Sequence, residues 1–250
     1  MDYLRHLHTY LTFFRGASQH PYQMQMIDLP PGRRILVLSP HFDDDILGCG
    51  GTLIKHVTAG CDVSIVYMTN GRGGDPSNPD KAEVERIRKA EAQKAAGIIG
   101  VKNLHYLDFP DGSLQCNEMS KTALKRILCD RRPDLVYLPW VLDYHIDHQA
   151  TNLILAGINN TGPVDFNICA YEVHTPLPAN CAVDITSQFE TKKKAVCAHE
   201  SQLKQCDYLR VASGLNAYRS LRRLQGQGYV EAFILLKAKE YLKIVAELKM

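Results

Sequence analysis

Apolar and polar residues alternate along the chain in a pattern that predicts repeated strand–helix units. Four short apolar runs rich in β-branched or aromatic residues predict buried strands at 35–38, 63–68, 104–109 and 135–138. Helical spacing of apolar positions predicts helices at 52–59, 80–99, 119–130 and 149–158. The remainder is less regular, with a helix predicted at 191–204 and a last strand at 230–236.

This order of elements predicts the fold class. Strands that alternate with helices form a parallel sheet with right-handed crossovers and helices on both faces. We therefore expect an α/β fold, a Rossmann-like three-layer domain with a mostly parallel sheet flanked by helices, over residues 31–250. Residues 1–30 form an N-terminal extension. Within it, residues 4–14 are compatible with an amphipathic helix that docks on the body, on a second subunit of a homo-oligomer or on a membrane surface.

Composition and charge narrow the class of protein. The 250 residues are 45% hydrophobic and carry a formal net charge of +2, which gives no reason to expect a nucleic-acid partner. The N-terminus lacks the apolar core of a signal peptide, and no apolar run reaches the roughly 20 residues that span a bilayer. The eight cysteines form no C-x-x-C pair. We expect a cytoplasmic protein with reduced cysteines and no transmembrane anchor.

Polar clusters follow each of the first four predicted strands. In open parallel sheets, ligands bind at the carboxyl ends of the strands, so these clusters are expected to form one site. The clusters are His41/Asp43/Asp44, residues 70–72, Asp111 and His145/Asp147/His148.

The first cluster has the residue types of a metal site. His41 and Asp44 are three residues apart at a predicted strand-to-helix turn, so both side chains can reach one cation. Zinc binds imidazole nitrogen and carboxylate oxygen at about 2.0–2.2 Å. Three consecutive aspartates, 43–45, would repel one another if buried without a counter-charge, which a divalent cation supplies. The alternative interpretation is a helix N-terminus that favours acidic residues without any metal.

The second cluster can complete the ligand set. His148 would add an imidazole to His41 and Asp44, and three protein ligands plus water is the arrangement of a catalytic zinc site. The alternative is a solvated loop in which histidines occur by chance, since the chain contains ten of them.

These motifs resemble those of the LmbE/PIG-L family of zinc-dependent deacetylases. Residues 41–51 are similar to the family motif H-P-D-D-E-x-x-x-G-x-G-G, and residues 145–148 are similar to its H-x-D-H. Three weaker blocks, at 69–74, 88–91 and 199–202, resemble the family's T-N-G loop, its R-x-x-E helix and a late H-x-S-Q block. The blocks occur in the same order as in the family and cover most of the chain after the N-terminal segment.

The resemblance implies a role for each matching residue. The zinc ligands would be His41, Asp44 and His148. Asp43 would be the general base that accepts a proton from the attacking water. His145 would stabilise the oxyanion of the tetrahedral intermediate, and Asp147 would hold His145 in the required orientation.

Two further residues are implied in substrate binding. The family places the arginine of R-x-x-E, here Arg88, and the aspartate of P-D-G, here Asp111, near the sugar hydroxyls. Arg88 is equally compatible with a structural ion pair to Glu85 or Glu91. Trp140, shortly before the motif at 145–148, suits either a core position, which we favour, or stacking on a sugar face.

The activity that the resemblance implies is zinc-dependent removal of the N-acetyl group from an N-acetylglucosamine-type sugar. The products would be a free amine and acetate. Phe42 stands where the family has proline, and Asp45 where it has glutamate, which leaves the physiological substrate open. Two alternatives also stay open: another metal-assisted hydrolase, acting on a non-sugar amide or a phosphoester, and a sugar-binding module without catalytic activity.

Overall fold

A computed structural model describes residues 24–159 and 165–248, which contain eight strands and eight α-helices. The strands are β1 (Gln25–Ile27), β2 (Arg34–Ser39), β3 (Asp62–Thr69), β4 (Asn103–Phe109), β5 (Leu135–Pro139), β6 (Asn167–Tyr171), β7 (Cys181–Asp184) and β8 (Val230–Lys237). The helices are α1 (Asp44–Thr58), α2 (Lys81–Ile98), α3 (Glu118–Arg131), α4 (Ile146–Asn159), α5 (Phe189–Cys197), α6 (Glu200–Leu203), α7 (Tyr208–Arg219) and α8 (Ala238–Glu247). The helix considered at 4–14 lies outside the described residues. Within them, no helix combines the length and the apolar character needed to cross a bilayer.

All eight strands form one mixed sheet in the order β1-β7-β8-β6-β5-β2-β3-β4. Strand β8 runs antiparallel to both of its neighbours, β6 and β7, and the other pairs are parallel. The predicted α/β class with a mostly parallel sheet is therefore confirmed. Strand β1 pairs with β7 from within the segment expected to be an extension, so the sheet begins before residue 31.

Helices cover both faces of the sheet because alternate residues of each buried strand point to opposite sides. In β2, Ile35 and Val37 belong to one apolar cluster, which also contains residues of α1, α2 and α5. Leu36 and Leu38 belong to a second cluster, which contains residues of α3, α4 and α8. Two cores on opposite faces of one sheet give the predicted three layers.

Helix α1 begins at Asp44, eight residues earlier than the sequence pattern predicts. Glycine is a poor helix former, so the sequence pattern did not extend the predicted helix back across Gly48 and Gly51. Tertiary packing overrides this preference, because a Cβ at Gly48 would overlap the ring of Tyr171, and one at Gly51 would lie 2.7 Å from Ile185. The glycines allow α1 to lie close against the sheet, which places its first turn at the end of β2.

Two other parts of the chain also differ from the prediction. The helix expected at 191–204 is divided into α5 and α6, with the break at Ala198 and His199. Strands β1, β6 and β7 were not predicted, because each has only three to five residues and too few positions for a clear periodicity. Helices α7 and α8 were not predicted either.

A buried ion pair between α5 and β8 is hydrogen-bonded to α1. The Lys192 ammonium lies 2.7 Å from Glu231 Oε1 and also donates to Asn216 Oδ1 at 3.0 Å and to a carbonyl of α1 at 2.8 Å. Glu231 accepts from the backbone N–H groups of Gly51 at 2.9 Å and Thr52 at 2.7 Å. Both charged side chains are almost completely buried, and both are fully hydrogen-bonded.

This network predicts a large loss of stability on Glu231→Ala. The substitution leaves the Lys192 ammonium buried without a counter-charge, which costs about 3–5 kcal/mol. Urea unfolding followed by circular dichroism measures the change in the free energy of unfolding. The matched control is Glu83→Ala, which removes an exposed partner of Arg86 and should leave the midpoint nearly unchanged. Equal midpoints for the two variants would contradict a stabilising role for the pair.

Candidate active site

The carboxyl ends of β2, β3, β4 and β5 surround a cavity of about 320 Å³. Six of the eight site residues predicted from sequence line it, namely His41, Asp43, Asp44, Arg88, Asp111 and His145. The remaining two, Asp147 and His148, are fully buried behind its wall. The shared sheet edge therefore brings together residues that are more than 100 positions apart in the chain.

The three predicted zinc ligands form a compact triangle of donor atoms. Asp44 Oδ2 lies 3.0 Å from His41 Nδ1 and 3.2 Å from His148 Nε2, and the two ring nitrogens are 3.4 Å apart. A tetrahedral zinc with bonds of about 2.0–2.2 Å needs donor atoms roughly 3.3–3.6 Å apart. The two ring nitrogens are separated by a distance in this range, and the two distances to Asp44 are slightly shorter, so the residues present fit a zinc ion after a small outward shift of the carboxylate. His41 and Asp44 also line the cavity, which leaves room for a further ligand.

Asp44 stays ionised in this cluster, and it attracts positive charge to the two histidines. Burial would raise the pKa of Asp44, but the neighbouring His148 and His41 hold that pKa well below its ordinary value. Burial would lower the pKa of His148, but the Asp44 carboxylate outweighs it and raises that pKa to about 9. The same balance, with Asp44 as the main source of the increase, raises the pKa of His41. Without metal, the carboxylate lies between two imidazolium rings, and a divalent cation can replace their protons.

Asp143 supports His148 from the side opposite Asp44. Its Oδ1 lies 3.5 Å from His148 Nδ1, and it accepts backbone N–H groups from His145 at 3.1 Å and His174 at 2.9 Å. A carboxylate behind a ligating histidine fixes the orientation of the ring. Sequence reasoning missed this residue, although an acid two positions before His145 was a signal that could have found it.

Asp147 has a different contact from the one implied by the family resemblance. Its carboxylate lies 3.2 Å from His41 Nε2 and accepts from the backbone N–H groups of Gly112 at 2.7 Å and Leu114 at 2.9 Å. His145 instead accepts the Asp147 backbone N–H at its Nδ1, at 3.2 Å. Helix α4 begins at Ile146, and the Asp147 side chain in its first turn points into the protein. Asp147 therefore supports His41 in the same way as Asp143 supports His148.

Arg88 faces the cavity. Its guanidinium lies 3.5 Å from Asp43 Oδ1 and 3.4 Å from Asp111 Oδ2, and it donates to the carbonyl of Gly71 at 2.9 Å. Asp111 in turn accepts from the Gly73 N–H at 2.8 Å and lies 3.3 Å from a His41 ring nitrogen. Although burial opposes it, the hydrogen bond and charge of His41 lower the pKa of Asp111 to about 2.

The alternative ion pairs of Arg88 are not formed. Glu85 accepts from Arg72 at 2.6 Å. Glu91 accepts from the backbone and side chain of Ser201, at 2.7 and 2.6 Å. Glu91 therefore joins α2 to α6, and Arg88 is left to contact the two aspartates of the cavity.

The aromatic side of the cavity contains a residue that sequence reasoning did not assign to the site. The ring centroid of His174 lies 5.9 Å from that of His145, which in turn lies 4.5 Å from that of His41. Burial, followed by the charges of His41 and His148, lowers the pKa of His145. Trp140 is fully buried, in agreement with the core position that the sequence favoured.

The two departures from the family motif lie in the core. Phe42 is fully buried, and its ring centroid lies 5.1 Å from that of Tyr67. Asp45 is also fully buried, 3.2 Å from the Ser39 hydroxyl. Burial, together with the charge of Asp44, raises the pKa of Asp45 to about 8, so this carboxyl is neutral at pH 7. Neither side chain lines the cavity.

Comparisons with known proteins agree with this site. The family model described as PIG-L, GlcNAc-PI de-N-acetylase, matches residues 36–158. A diacetylchitobiose deacetylase of Thermococcus kodakarensis is 30% identical over 190 residues, which cover 68% of this chain and 70% of that protein. The chain belongs to the PIG-L family. The predicted family is thereby confirmed, and with it the expectation of a hydrolase of the N-deacetylase class.

Two further proteins to which this PIG-L family member is similar are also named as deacetylases. The structure of N,N'-diacetylchitobiose deacetylase from Pyrococcus horikoshii superimposes with a TM-score of 0.73 and 25% identity, covering 89% of this chain and 88% of that one. A probable N-acetyl-alpha-D-glucosaminyl L-malate deacetylase of Bacillus anthracis is 23% identical over 185 residues, covering 68% of this chain and 81% of that protein.

The contact of Asp143 with His148 predicts an effect on zinc binding by this PIG-L protein. Asp143→Asn removes the charge that orients the ligand, and the zinc affinity should fall by about 10–100-fold. Competition with a chromophoric chelator measures the dissociation constant. Asp130→Asn, an exposed substitution on α3, is the matched control and should bind zinc as the wild type does. An unchanged affinity in Asp143→Asn would show that Asp143 does not support the ligand.

The raised pKa of His148 predicts how the stability of the metal-free protein depends on pH. The pKa rises from its ordinary 6.5 to about 9 on folding, so its stabilising effect is fully present below pH 6.5 and is lost as the pH rises through 9. The free energy of unfolding in excess chelator should therefore fall between pH 6.5 and 9. Urea titrations at several pH values test this. A flat profile, or one that His148→Asn leaves unaltered, would contradict it.

Proposed function

We propose that this protein is a zinc-dependent deacetylase that hydrolyses the N-acetyl group of an N-acetylglucosamine-type sugar, releasing acetate and a free amine. The observation that carries the proposal is the donor triangle of His41, Asp44 and His148, which lies in a cavity that also contains Asp43. The named activities of the similar proteins support the choice of an N-acetylated sugar as substrate.

His41, Asp44 and His148 hold the zinc ion in this proposal. When bound, zinc supplies Lewis acidity that polarises the amide carbonyl and activates water for attack. Asp147 and Asp143 lie behind the two histidines and keep their rings directed at the site.

Asp43 is the proposed general base. It lines the cavity next to Asp44, and the guanidinium of Arg88 at 3.5 Å holds its carboxylate in place. It accepts a proton from water as the water oxygen attacks the carbonyl carbon, and it delivers that proton to the nitrogen as the C–N bond breaks. The carboxylic proton of the acetic acid so formed passes to the amine, so the products are acetate and the protonated amino sugar, and atoms and charge balance without another reactant.

His145 is the proposed donor to the oxyanion. Its Nδ1 accepts the backbone N–H of Asp147, so in the neutral ring the proton is on Nε2, available to the cavity. The lowered pKa of His145 favours this neutral form over the imidazolium. A hydrogen bond to an oxygen that gains charge only in the transition state lowers the barrier selectively.

The wall formed by Arg88 and Asp111 is the proposed contact for the sugar hydroxyls. Asp111 accepts hydrogen bonds, whereas Arg88 donates them, so together they can bind a hydroxyl that does both. Both side chains are at least nine-tenths buried, and their contacts with Asp43 and His41 link sugar binding to the reacting groups.

The test is acetate release from a panel of N-acetylated amino sugars by the zinc-loaded protein and by Asp43→Asn. Wild type should release acetate, and the variant should lose about 10²–10⁴-fold in kcat while retaining zinc, because only proton transfer is removed. Asp130→Asn is the matched control. Zinc binding without acetate release from any sugar would overturn the sugar substrate, and an active Asp43→Asn would overturn the assignment of the base.

A further inference from the structure

A second cavity, of about 240 Å³, opens beside the active site. We call it the apolar groove and define it by Leu47, Tyr144, Val173, Tyr208, Val211 and Leu215. Leu47, Tyr144 and Tyr208 also line the active-site cavity, so the two spaces share a wall. A molecule that reacts at His41 and Asp43 can therefore extend into the groove.

The described lining of the groove contains no lysine or arginine that could pair with an anionic ligand. Among the described residues, Glu172 and His174 are the titratable groups with acidic or imidazole side chains that line the groove. The Glu172 carboxylate is occupied by Arg219, with Nε at 3.0 Å from Oε2, and by the Leu177 N–H at 2.7 Å. An anionic group placed there would lose its hydration without gaining a counter-charge, which is costly.

The positions of the two walls indicate which part of a sugar meets the groove. Arg88 and Asp111 form the polar side of the active site, and Tyr144 and His174 form the aromatic side, with ring centroids 5.1 Å apart. His41 lies between them, 3.3 Å from Asp111. In a 2-acetamido sugar, C1 is bonded directly to the carbon that carries the amide. C3, which carries a hydroxyl, is the other ring neighbour of that carbon. If the C3 hydroxyl contacts the polar side, C1 lies on the side away from it, where the active site and the groove share Tyr144 and Tyr208.

We propose that the apolar groove binds the aglycone on C1, and that this aglycone is uncharged, apolar and about the size of a phenyl ring. The inference rests on the proposed function and names its substrate class more closely. The size fits, since a cavity of roughly 150 Å³ already holds a benzene ring. The exposed face of Val211, which is 53% accessible, is the apolar surface that such a group would cover.

The experiment compares substrates on the zinc-loaded full chain. The panel is both anomers of phenyl 2-acetamido-2-deoxyglucoside, free N-acetylglucosamine, diacetylchitobiose and N-acetylglucosaminyl malate. We expect kcat/KM for one phenyl anomer to exceed that for free N-acetylglucosamine by about tenfold or more, mainly through KM, because the groove contact is made before and during reaction. Diacetylchitobiose and the malate conjugate should stay below the phenyl glycoside.

Two variants of α7 test whether the groove causes this preference. Val211→Asp places a carboxylate in the groove and should reduce the ratio of kcat/KM for the phenyl glycoside to that for free N-acetylglucosamine by about tenfold. Tyr218→Asp adds the same charge to an exposed position of the same helix outside the groove and should retain the ratio.

The outcomes separate this inference from the function on which it rests. Acetate release without a phenyl preference, a better rate with diacetylchitobiose or the malate conjugate, or an unchanged ratio in Val211→Asp would each overturn the groove assignment alone. Absence of acetate release from every sugar in the panel would overturn the proposed function and the groove assignment together.

Discussion

The compensation of buried negative charge is the constraint on which this structure depends. Six aspartates, at positions 43, 44, 45, 111, 143 and 147, lie at or behind one edge of the sheet, and most of them are fully buried. A buried carboxylate needs a cation, hydrogen-bond donors or a proton. The fold supplies each of these: imidazole rings for Asp44, Arg88 for Asp43, backbone N–H groups for Asp147, and protonation for Asp45.

The same compensation makes the site rigid. Asp147 accepts from the loop after β4 while it contacts His41 of the loop after β2, and Asp143 accepts from the loop after β6 while it contacts His148 of α4. Each supporting carboxylate thus joins two segments that are distant in the chain. A metal bound to these histidines meets a preformed arrangement and does not have to order the loops on binding. We infer that the affinity for the metal depends on Asp143 and Asp147 as well as on the ligands.

The sequence allowed the fold and most of the site to be predicted, because periodicity and motif spacing are local. Strands β2, β3, β4 and β5 coincide with apolar runs rich in β-branched or aromatic residues, and the polar clusters follow these runs in the chain. The start of α1 was placed too late because the glycines that weaken a helix are needed for its contact with Tyr171. His174 was missed because its place at the site depends on contacts between loops that sequence spacing does not encode, whereas Asp143 was missed although it lies only two positions before His145. The orientation of the Asp147 side chain is similarly set by where α4 begins.

Residues that perform chemistry and residues that form the apolar groove occupy different stretches of the chain. The ligands and proposed catalytic residues lie between 41 and 148, within the segment matched by the family model, whereas most of the groove comes from 172–215, beyond it. Mutations in the second stretch can therefore change which molecules are accepted without altering how the bond is cut. A change of specificity in such an architecture therefore does not have to alter the ligands or the proposed catalytic residues. Exchange of residues 172–215 between relatives is accordingly a way to change the accepted aglycone while the metal site is kept.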